Sequence, residues 1–215
     1  MTSAAVNRAA ELGAPLVAGR DPWAGVPSAT ARTIMEAGVK AFGARGFHGT
    51  NLKGIIAGTG LSTAALYVHF SSKEDLLFQI SKRGYVETVE IVEAATAIKD
   101  PVESLRVLAY AFTRWQAEQH AAARVVFYES EALTAEHAEE LAELRYGGEL
   151  KIRAMIEQGV DDGVFLPGEV RGISAALLSL SIDVARWYGP RAPYTPDELG
   201  RLYSVLACRM LGVRD

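Results

Sequence analysis

A run of small residues followed by hydrogen-bond donors marks one segment of the N-terminal third of the chain. Tyr67, His69 and Lys73 each carry a group that can donate to a phosphate oxygen. Before them stand residues small enough to let a helix approach base edges: Ser62, Thr63, Ala64 and Ala65. This pattern predicts a surface that can lie in the major groove of DNA and clamp one strand with its donors.

Each of these residues also has a simpler role that the residue types alone leave open. Tyr67 could pack as a half-buried aromatic, and His69 or Lys73 could be ordinary solvated side chains. Thr63 could only support the cap of a helix.

The spacing predicts that this surface belongs to a helix-turn-helix. One short helix fits residues 50–58, with Thr50 or Asn51 as its cap. Residues 59–61 contain a glycine that can adopt positive φ and predict a tight turn, after which a second helix fits residues 62–69. In such a unit the second helix enters the DNA major groove, about 12 Å wide, while the first fixes its angle.

Charge is divided unevenly along the chain. The formal net charge of −4 alone argues against a nucleic-acid ligand. Residues 28–83 nevertheless carry seven basic and three acidic side chains, a net +4, whereas residues 84–215 carry a net −8. A basic segment joined to an acidic one predicts that only the basic one meets a polyanion. A charge of +4 also occurs by chance on solvated helix faces.

Helical patterns cover most of the chain, and no alternating β-type run appears. Residues 1–27, which contain three prolines, predict a mobile N-terminal arm. Residues 28–83 predict a three-helix helix-turn-helix domain whose first helix is capped by Ser28. Residues 84–215 predict a helical ligand-binding and dimerisation domain. The predicted fold class is therefore all-α.

Composition and spacing argue against several other classes. No apolar run approaches the roughly 18–20 residues of a membrane-spanning helix, and residues 12–19, interrupted by Pro15, do not suit a secretory signal. The single cysteine, Cys208, and four scattered histidines predict neither a disulfide nor a metal site. No paired carboxylates, nucleophile–base pair or phosphate loop appears, so we expect a cytoplasmic protein without catalytic residues or cofactor. An all-helical enzyme and an adaptor without DNA affinity remain the alternatives from other classes.

The segment 31–77 resembles the DNA-binding domain of the TetR family of bacterial transcription regulators. The resemblance is carried by residues 34–37, 42–47 and 50–56, and most specifically by residues 60–77, GLSTAALYVHFSSKEDLL. It implies a dimeric, ligand-responsive transcription regulator, with repression as the expected mode. The implied DNA-contacting residues are Thr50, Lys53, Ser62, Thr63, Ala64, Ala65, Tyr67, His69 and Lys73.

Within that set, the resemblance assigns Tyr67, His69 and Lys73 to phosphates and residues 63–65 to bases. Lys53 could reach either, and Thr50 corresponds to a capping threonine near the DNA backbone. Two positions depart from the family pattern. Gly54 stands where an acidic or polar residue is usual, which weakens the helix by roughly 0.5–1 kcal/mol, and Ala64 stands where glycine is frequent.

Aromatic side chains at helical spacing, with one charged pair, predict a ligand cavity in the C-terminal domain. Aromatic clusters of this kind also arise as plain core packing. Arg186 could bind an anionic group of a ligand, or it could form an ion pair with Asp183 three residues earlier. One of these partners is expected because a buried charge without a partner is costly. The candidate ligand residues are Phe112, Trp115, Phe127, Tyr128, Asp183, Arg186 and Trp187.

The short run 186–188 is similar to that of family members that sense steroid- or fatty-acid-derived acyl-CoA thioesters. It implies a small apolar or acyl-CoA-like effector. A multidrug-efflux-type repressor with a drug-like effector is the alternative within the family.

Two apolar stripes predict a dimer interface near the C-terminus, because one short reading helix contacts too few bases. Two such helices per subunit would form the four-helix interface of the family, and the partner is a palindromic DNA operator. Burial within one subunit is the alternative. The candidate interface residues are Ile173, Leu177, Leu180, Val184, Leu202, Leu206 and Met210.

Overall fold

The computed structural model describes residues 3–213 as an all-helical protein, which confirms the predicted fold class. The α-helices in these residues are α1 (Ser3–Gly13), α2 (Ala29–Arg45), α3 (Leu52–Ile56), α4 (Thr63–His69), α5 (Lys73–Thr96), α6 (Pro101–Glu118), α7 (His120–Tyr128), α8 (Ala135–Asp161), α9 (Val170–Trp187) and α10 (Pro196–Met210). Short 3-10 helices cover Ala14–Leu16 and Ser130–Ala132, and none of residues 3–213 forms a strand. Residues 1, 2, 214 and 215, at the ends of the predicted arm and of the predicted C-terminal domain, lie outside the described residues.

Polar side chains begin the helices of the helix-turn-helix close to where the sequence predicts them. Ser28 caps α2 and Ser62 caps α4, each accepting a hydrogen bond from the backbone N–H three residues further on. Such a cap satisfies one of the orphan donors at a helix start. α3 is capped by Asn51 and not by Thr50, the other residue considered for this position.

The N-terminal segment is helical where the sequence predicts a mobile arm. α1 buries Ala9 and Ala10, and Gly13 lies so close to the ring of Tyr110 that an added Cβ would come within 2.5 Å of it. The prediction is wrong here because Pro15 follows α1 instead of interrupting it, and occupies the first turn of a 3-10 helix. Proline is tolerated at that position, since its missing N–H has no partner there in any case.

The chain divides into two compact units that do not follow its order. The helix-turn-helix unit comprises Asp21–Val86 and Ala121–Glu143. The larger unit comprises residues 3–20, Glu87–His120 and the chain from Leu144 onward. Helices α5 and α8 each contribute one part to each unit.

This division differs from the predicted segments 1–27, 28–83 and 84–215, because α7 and the start of α8 belong to the helix-turn-helix unit. The physical reason is packing: Val125 of α7 is part of the apolar core of that unit. Helical periodicity shows that a helix has an apolar face, but not which neighbour covers it.

The core of the helix-turn-helix unit fixes the position of α4. Leu66 is the buried side chain of this helix, and Phe70, directly after it, is also buried. Burying such a side chain stabilises a fold by about 1.5–3 kcal/mol. The fully buried residues around them are Ile34, Phe42, Leu76, Leu77 and Ile80.

Helix α6 forms the centre of the larger unit and contacts α1, α9 and α10. Tyr110 is fully buried; its hydroxyl donates to the Asp197 carboxylate and accepts from Arg114 at 3.0 Å. Burial raises the pKa of Tyr110, and the Asp197 carboxylate adds to this effect. Burial would raise the pKa of Asp197 too, but the hydrogen bonds from Arg201 and Tyr110 outweigh it and hold that pKa below its usual value.

Two kinds of site are absent from residues 3–213. No helix in this range is both long enough and apolar enough to cross a membrane. No cluster of three His, Cys, Asp or Glu side chains there could hold a metal ion.

Cys208 is buried, and its Sγ accepts a hydrogen bond from Arg106 Nε at 3.3 Å. Burial raises the pKa of this thiol, which keeps it in its unreactive form.

Candidate nucleic-acid interface and ligand cavity

The turn between α3 and α4 is held by glycines and by a threonine. Gly58 and Gly60 have φ of 85° and 76°, a region that glycine occupies without strain. The Thr59 hydroxyl donates to the Ile56 carbonyl at 2.8 Å and accepts from the Leu61 N–H at 3.2 Å. These contacts fix the direction in which the chain enters α4.

Helix α4 presents a continuous surface of small and aromatic side chains. Ala64 is exposed, and Tyr67 is 55% exposed. Ser62 is also exposed, with its Oγ accepting from the Ala65 N–H at 3.1 Å, while Thr63 and Ala65 are half-buried. The structure therefore brings the five predicted residues 62–65 and 67 together on one short element.

Lys73 lies against the loop between α2 and α3. Its Nζ donates to the carbonyls of Phe47 at 2.7 Å and Thr50 at 2.8 Å, and lies 4.0 Å from the centre of the Phe47 ring. Two of its three donors are thus used within the protein. The lysine that the resemblance assigns to the DNA backbone holds the loop that leads into α3.

Thr50 is an internal residue and not a surface contact. Its side chain is 3% exposed, and its hydroxyl is placed to donate to the carbonyls of Gly46 at 2.8 Å and Ala41 at 3.2 Å. Its backbone N–H donates to the Phe47 carbonyl. Asn51, and not Thr50, caps α3. The hydroxyl and N–H of Thr50 are used to close the α2–α3 loop, and its contact with the DNA backbone stays a prediction.

The two remaining predicted contacts differ in their surroundings. His69 is half-buried at the end of α4, and its Nε2 lies 3.4 Å from the Oγ of Ser28, the α2 cap. Lys53 is exposed on α3. Lys53 is thus open to solvent, whereas His69 already has a neighbour within the unit.

Two exposed residues of this region were missed by the sequence reasoning. Val68 of α4 is 78% exposed, and the guanidinium of Arg45 lies beside α3, 3.4 Å from where a Cβ at Gly54 would stand. An added Cβ would also lie 3.3 Å from Asn51 Oδ1, and its distance to Arg45 is an ordinary contact, so the space around Gly54 does not require glycine on account of Arg45. The signal for Arg45 was its share of the net positive charge of residues 28–83.

Acidic side chains from α5 and from the end of α7 tie the helix-turn-helix unit together. Glu129 accepts from the Phe47 N–H at 2.7 Å, in the loop that Lys73 also holds. Glu74 accepts from the Thr134 N–H at 3.0 Å and lies 2.8 Å from His137 Nδ1. These hydrogen bonds, together with the shared apolar core, connect α7 and the start of α8 to the rest of the helix-turn-helix unit.

The larger unit contains a small apolar cavity between its helices, with a volume of about 30 Å³. Its polar lining groups are Ser181, which accepts from the Thr113 hydroxyl at 3.0 Å, and Tyr203. The other lining residues are Leu105, Leu108, Ala109, Phe112, Ile152, Leu177, Leu178, Leu180, Leu206 and Ala207. Phe112 alone among the predicted ligand residues lies in this lining.

The other predicted ligand residues lie elsewhere. Trp115 is buried in a separate cluster with Tyr110. Asp183 and Arg186 form an exposed two-pronged ion pair at 2.6 and 2.8 Å, which lowers the pKa of Asp183. The structure thus favours the alternative role for this pair. Phe127 and Tyr128 belong to the helix-turn-helix unit and not to the unit that contains the cavity. Trp187 is 40% exposed and does not line the cavity.

The predicted dimer residues divide into three groups. Leu180, Leu202 and Met210 are exposed, at 44%, 39% and 40%. Val184 is fully buried beside Leu199 of the same protomer, so it is not available to a partner. The half-buried residues are Ile173, Leu177 and Leu206.

Comparison with known protein families matches both parts of the chain. A model described as "Bacterial regulatory proteins, tetR family" matches residues 34–80, which contain α3 and α4. A model described as "Tetracyclin repressor-like, C-terminal domain" matches residues 99–211, more than half of the chain. Helix α1 lies outside both matches.

Individual proteins give the same result. The HTH-type transcriptional repressor KstR2 of Mycobacterium tuberculosis H37Rv is 28% identical over 195 residues, 86% of this chain and 94% of that protein. A tetR-family regulatory protein from Rhodococcus RHA1 is 32% identical, with a TM-score of 0.82 over 87% of this chain and 100% of that chain. AibR, in complex with isovaleryl coenzyme A and operator DNA, shares the fold with a TM-score of 0.76 at 21% identity, over 86% of this chain and 100% of that chain. The chain therefore belongs to the TetR family of bacterial transcription regulators, and α3 and α4 form its DNA-binding helix-turn-helix.

Proposed function

We propose that the chain is a homodimeric repressor that binds a palindromic operator through α4 and releases it when an acyl-CoA-like effector enters the cavity of the larger unit. The observation that carries the proposal is the exposed surface of α4. This helix is held in place by its Ser62 cap, the Thr59 turn and the contacts of Lys73 with the preceding loop. TetR-family regulators are typically dimers, and two reading helices about 34–36 Å apart suit a palindrome. Repression follows the naming of the KstR2 relatives. The protein acts in the cytoplasm, as a regulator and not as an enzyme.

The DNA contacts are divided between readers and anchors. Residues 62–65 face the bases, and the Tyr67 hydroxyl donates to a phosphate. The exposed cations Lys53 and Arg45 supply charge to the backbone. Lys73 acts mainly by positioning α3, because most of its hydrogen-bonding capacity is used at the Phe47 and Thr50 carbonyls. His69 is assigned to a phosphate beside the start of α2.

The effector is assigned from the chemistry of the cavity lining. Its side chains are apolar apart from the Ser181 and Tyr203 hydroxyls, and none is charged, so the part of an effector that enters is neutral and apolar. An acyl group has this character, and isovaleryl coenzyme A is the ligand named for AibR. The anionic part of a coenzyme A thioester would stay outside, because an unpaired buried charge is costly.

The size of the cavity supplies the release mechanism. The cavity volume of about 30 Å³ is far smaller than that of ligand pockets, which hold about 300–1,000 Å³. The effector therefore binds a form of the protein in which α6, α8, α9 and α10 have moved apart. A ligand that prefers this form shifts the population toward it and away from DNA.

The dimer is assigned to the exposed apolar residues of α9 and α10. Leu180, Leu202 and Met210 provide them, with Trp187 close by on the same surface of α9. Val184 is excluded because it is buried within the protomer. Exposed apolar groups on the helices of one unit are typical of protein–protein contacts.

A release assay tests the proposal directly. The full-length protein is used to select a duplex from a random library, and binding is followed by fluorescence anisotropy. Isovaleryl coenzyme A and longer acyl-CoAs are added in turn, with free coenzyme A as the control. We expect acyl-CoAs to release the DNA and free coenzyme A not to. Release by cationic drugs alone would instead identify a multidrug-type effector.

A cavity-filling variant sharpens this assay. Leu177→Trp places bulk in the cavity, so we expect it to bind DNA and to resist release by acyl-CoA. Leu150→Trp, at an exposed position of α8 outside the cavity, is the matched control and should release normally. Equal release from both variants would contradict the assignment of this cavity.

A further inference from the structure

Val68 is an apolar side chain on a surface assigned to DNA. It is the most exposed large hydrophobic residue that the structure describes, at 78%. It follows Ala64 by one helical turn and therefore lies on the same face of α4. The packing of α4 depends on Leu66 and not on Val68. Stability thus gives no reason for a branched apolar group at this position.

The side chains of α4 limit how this helix can read bases. Bidentate recognition of guanine or adenine requires Arg, Lys, Asn or Gln, and recognition of cytosine requires an acidic group. Residues 63–69 contain none of these types. The groups left for base edges are the Ser62 and Thr63 hydroxyls and the methyl groups of Thr63, Ala64, Ala65 and Val68. In the major groove, methyl groups pair with the C5-methyl of thymine.

We propose that Val68, together with Ala64, is a specificity-determining residue that reads thymine through its C5-methyl group in the major groove. The inference rests on the proposed function of α4 as the reading helix. The partner is a 5-methylpyrimidine at a fixed position of each operator half-site. Hydrogen bonds from Tyr67 and the surrounding cations then set register and affinity, while apolar contact sets the sequence at that position.

Val68→Ala tests this assignment without disturbing the fold. The side chain is exposed, and alanine has a higher helix propensity than the β-branched valine. We therefore expect the variant to unfold at the same denaturant concentration as the wild type, or slightly higher. Val164→Ala is the matched control, because Val164 is also exposed, at 41%, but belongs to the larger unit.

The experiment compares thymine with deoxyuridine, which lacks only the methyl group. The full-length wild-type protein is used to select a duplex, and each thymine of a half-site is replaced singly. Burying one methyl corresponds to about a fourfold change in Kd for one half-site and about 15-fold for both. We expect one thymine position to show this loss with the wild type and with Val164→Ala, and less than a twofold loss with Val68→Ala.

Two results would overturn the inference, and they differ in meaning. If a duplex is selected but no thymine shows a methyl effect that depends on Val68, the inference fails and the proposed function stands. If no duplex is selected, both fail. Replacing thymine with deoxyuridine changes the Kd by one factor for the wild type and by another for Val68→Ala, and the ratio of these factors is the quantity compared. A general effect of uracil on DNA shape appears in both factors and therefore cancels.

Discussion

The reading helix and the ligand cavity of this protein differ in how complete they are before any partner binds. In the helix-turn-helix unit the caps of α3 and α4 are formed, the turn is pinned by Thr59, and Lys73 holds the preceding loop. In the larger unit the cavity, with a volume of about 30 Å³, is far smaller than an ordinary ligand pocket of about 300–1,000 Å³. In the proposed mechanism, DNA therefore meets a prepared surface, whereas an effector must open its own site.

This difference explains how one ligand can oppose the other. Binding to a preorganised surface loses little free energy to ordering. Effector binding includes the cost of opening the cavity, so the effector acts through its preference for the opened form. Allosteric coupling of this kind is typically 1–3 kcal/mol. Changes on the α4 surface should alter DNA affinity alone, and changes around the cavity should alter stability and release.

The largest expected effect comes from separating the protomers. Leu202→Glu places a charge among the exposed apolar residues of α9 and α10, so we expect a monomer by light scattering. Losing the second half-site should weaken operator binding at least about 100-fold. Val164→Glu is the control, with a similar exposed fraction at a position outside α9 and α10. A dimer in both variants would contradict the proposed interface.

Truncating the cavity wall should change stability strongly. Phe112 is buried in the lining, and Phe112→Ala should lower the free energy of unfolding by about 3–5 kcal/mol. Chemical denaturation measures this quantity. Tyr128→Ala, at an exposed aromatic of the other unit, should cost less than about 1 kcal/mol. A loss below about 1 kcal/mol for Phe112→Ala would show that the lining is not tightly packed.

Two lysines of the helix-turn-helix unit should behave in opposite ways. Lys73→Met removes the hydrogen bonds to the Phe47 and Thr50 carbonyls, and should lower the free energy of unfolding by about 2–3 kcal/mol. Lys53→Met, at an exposed position, should leave stability within about 0.5 kcal/mol. It should instead reduce the salt slope of DNA binding by about 1.8 for a dimer. A loss of stability for Lys53→Met together with a smaller salt slope for Lys73→Met would instead assign the structural role to Lys53 and the DNA contact to Lys73.

The smallest effect concerns pH. Asp197 has a pKa below its usual value in the folded protein, so its contribution is complete above about pH 3.9. It is lost as the pH falls through the lower, folded-state pKa. Asp197→Asn should therefore be less stable than the wild type near pH 7, by under about 1 kcal/mol at this partly exposed site. A difference that stays constant down to pH 2 would contradict this role of Asp197.

The sequence predicted the helix-turn-helix well because its signals are local. Caps, a glycine turn and a single inward leucine lie within a few residues of one another, and each constrains its own neighbours. What it missed there depends on distant contacts. Thr50 and Lys73 turn inward because carbonyls of the α2–α3 loop are within reach.

The ligand cavity could not be predicted in the same way. Aromatic residues at helical spacing mark an apolar face, but Trp115 and Phe112 share that signal and only Phe112 reaches the cavity. Half of the lining residues are leucines, which have no local signature that separates a cavity wall from a core. Arg186 shows the opposite problem, because its neighbour Asp183 satisfies it at the surface.

The most direct test of the account is whether the prepared surface of α4 lies on DNA. Ala64→Glu adds a carboxylate to this surface, and Ala142→Glu adds the same group to an exposed position of α8 in the same unit. Anisotropy with the selected duplex gives the Kd of each variant at about 0.1 M salt. We expect Ala64→Glu to lose at least about 100-fold in affinity for the duplex, because a like charge against a phosphate costs several kcal/mol. We expect Ala142→Glu to lose less than threefold. Equal affinities of the two variants would contradict the account.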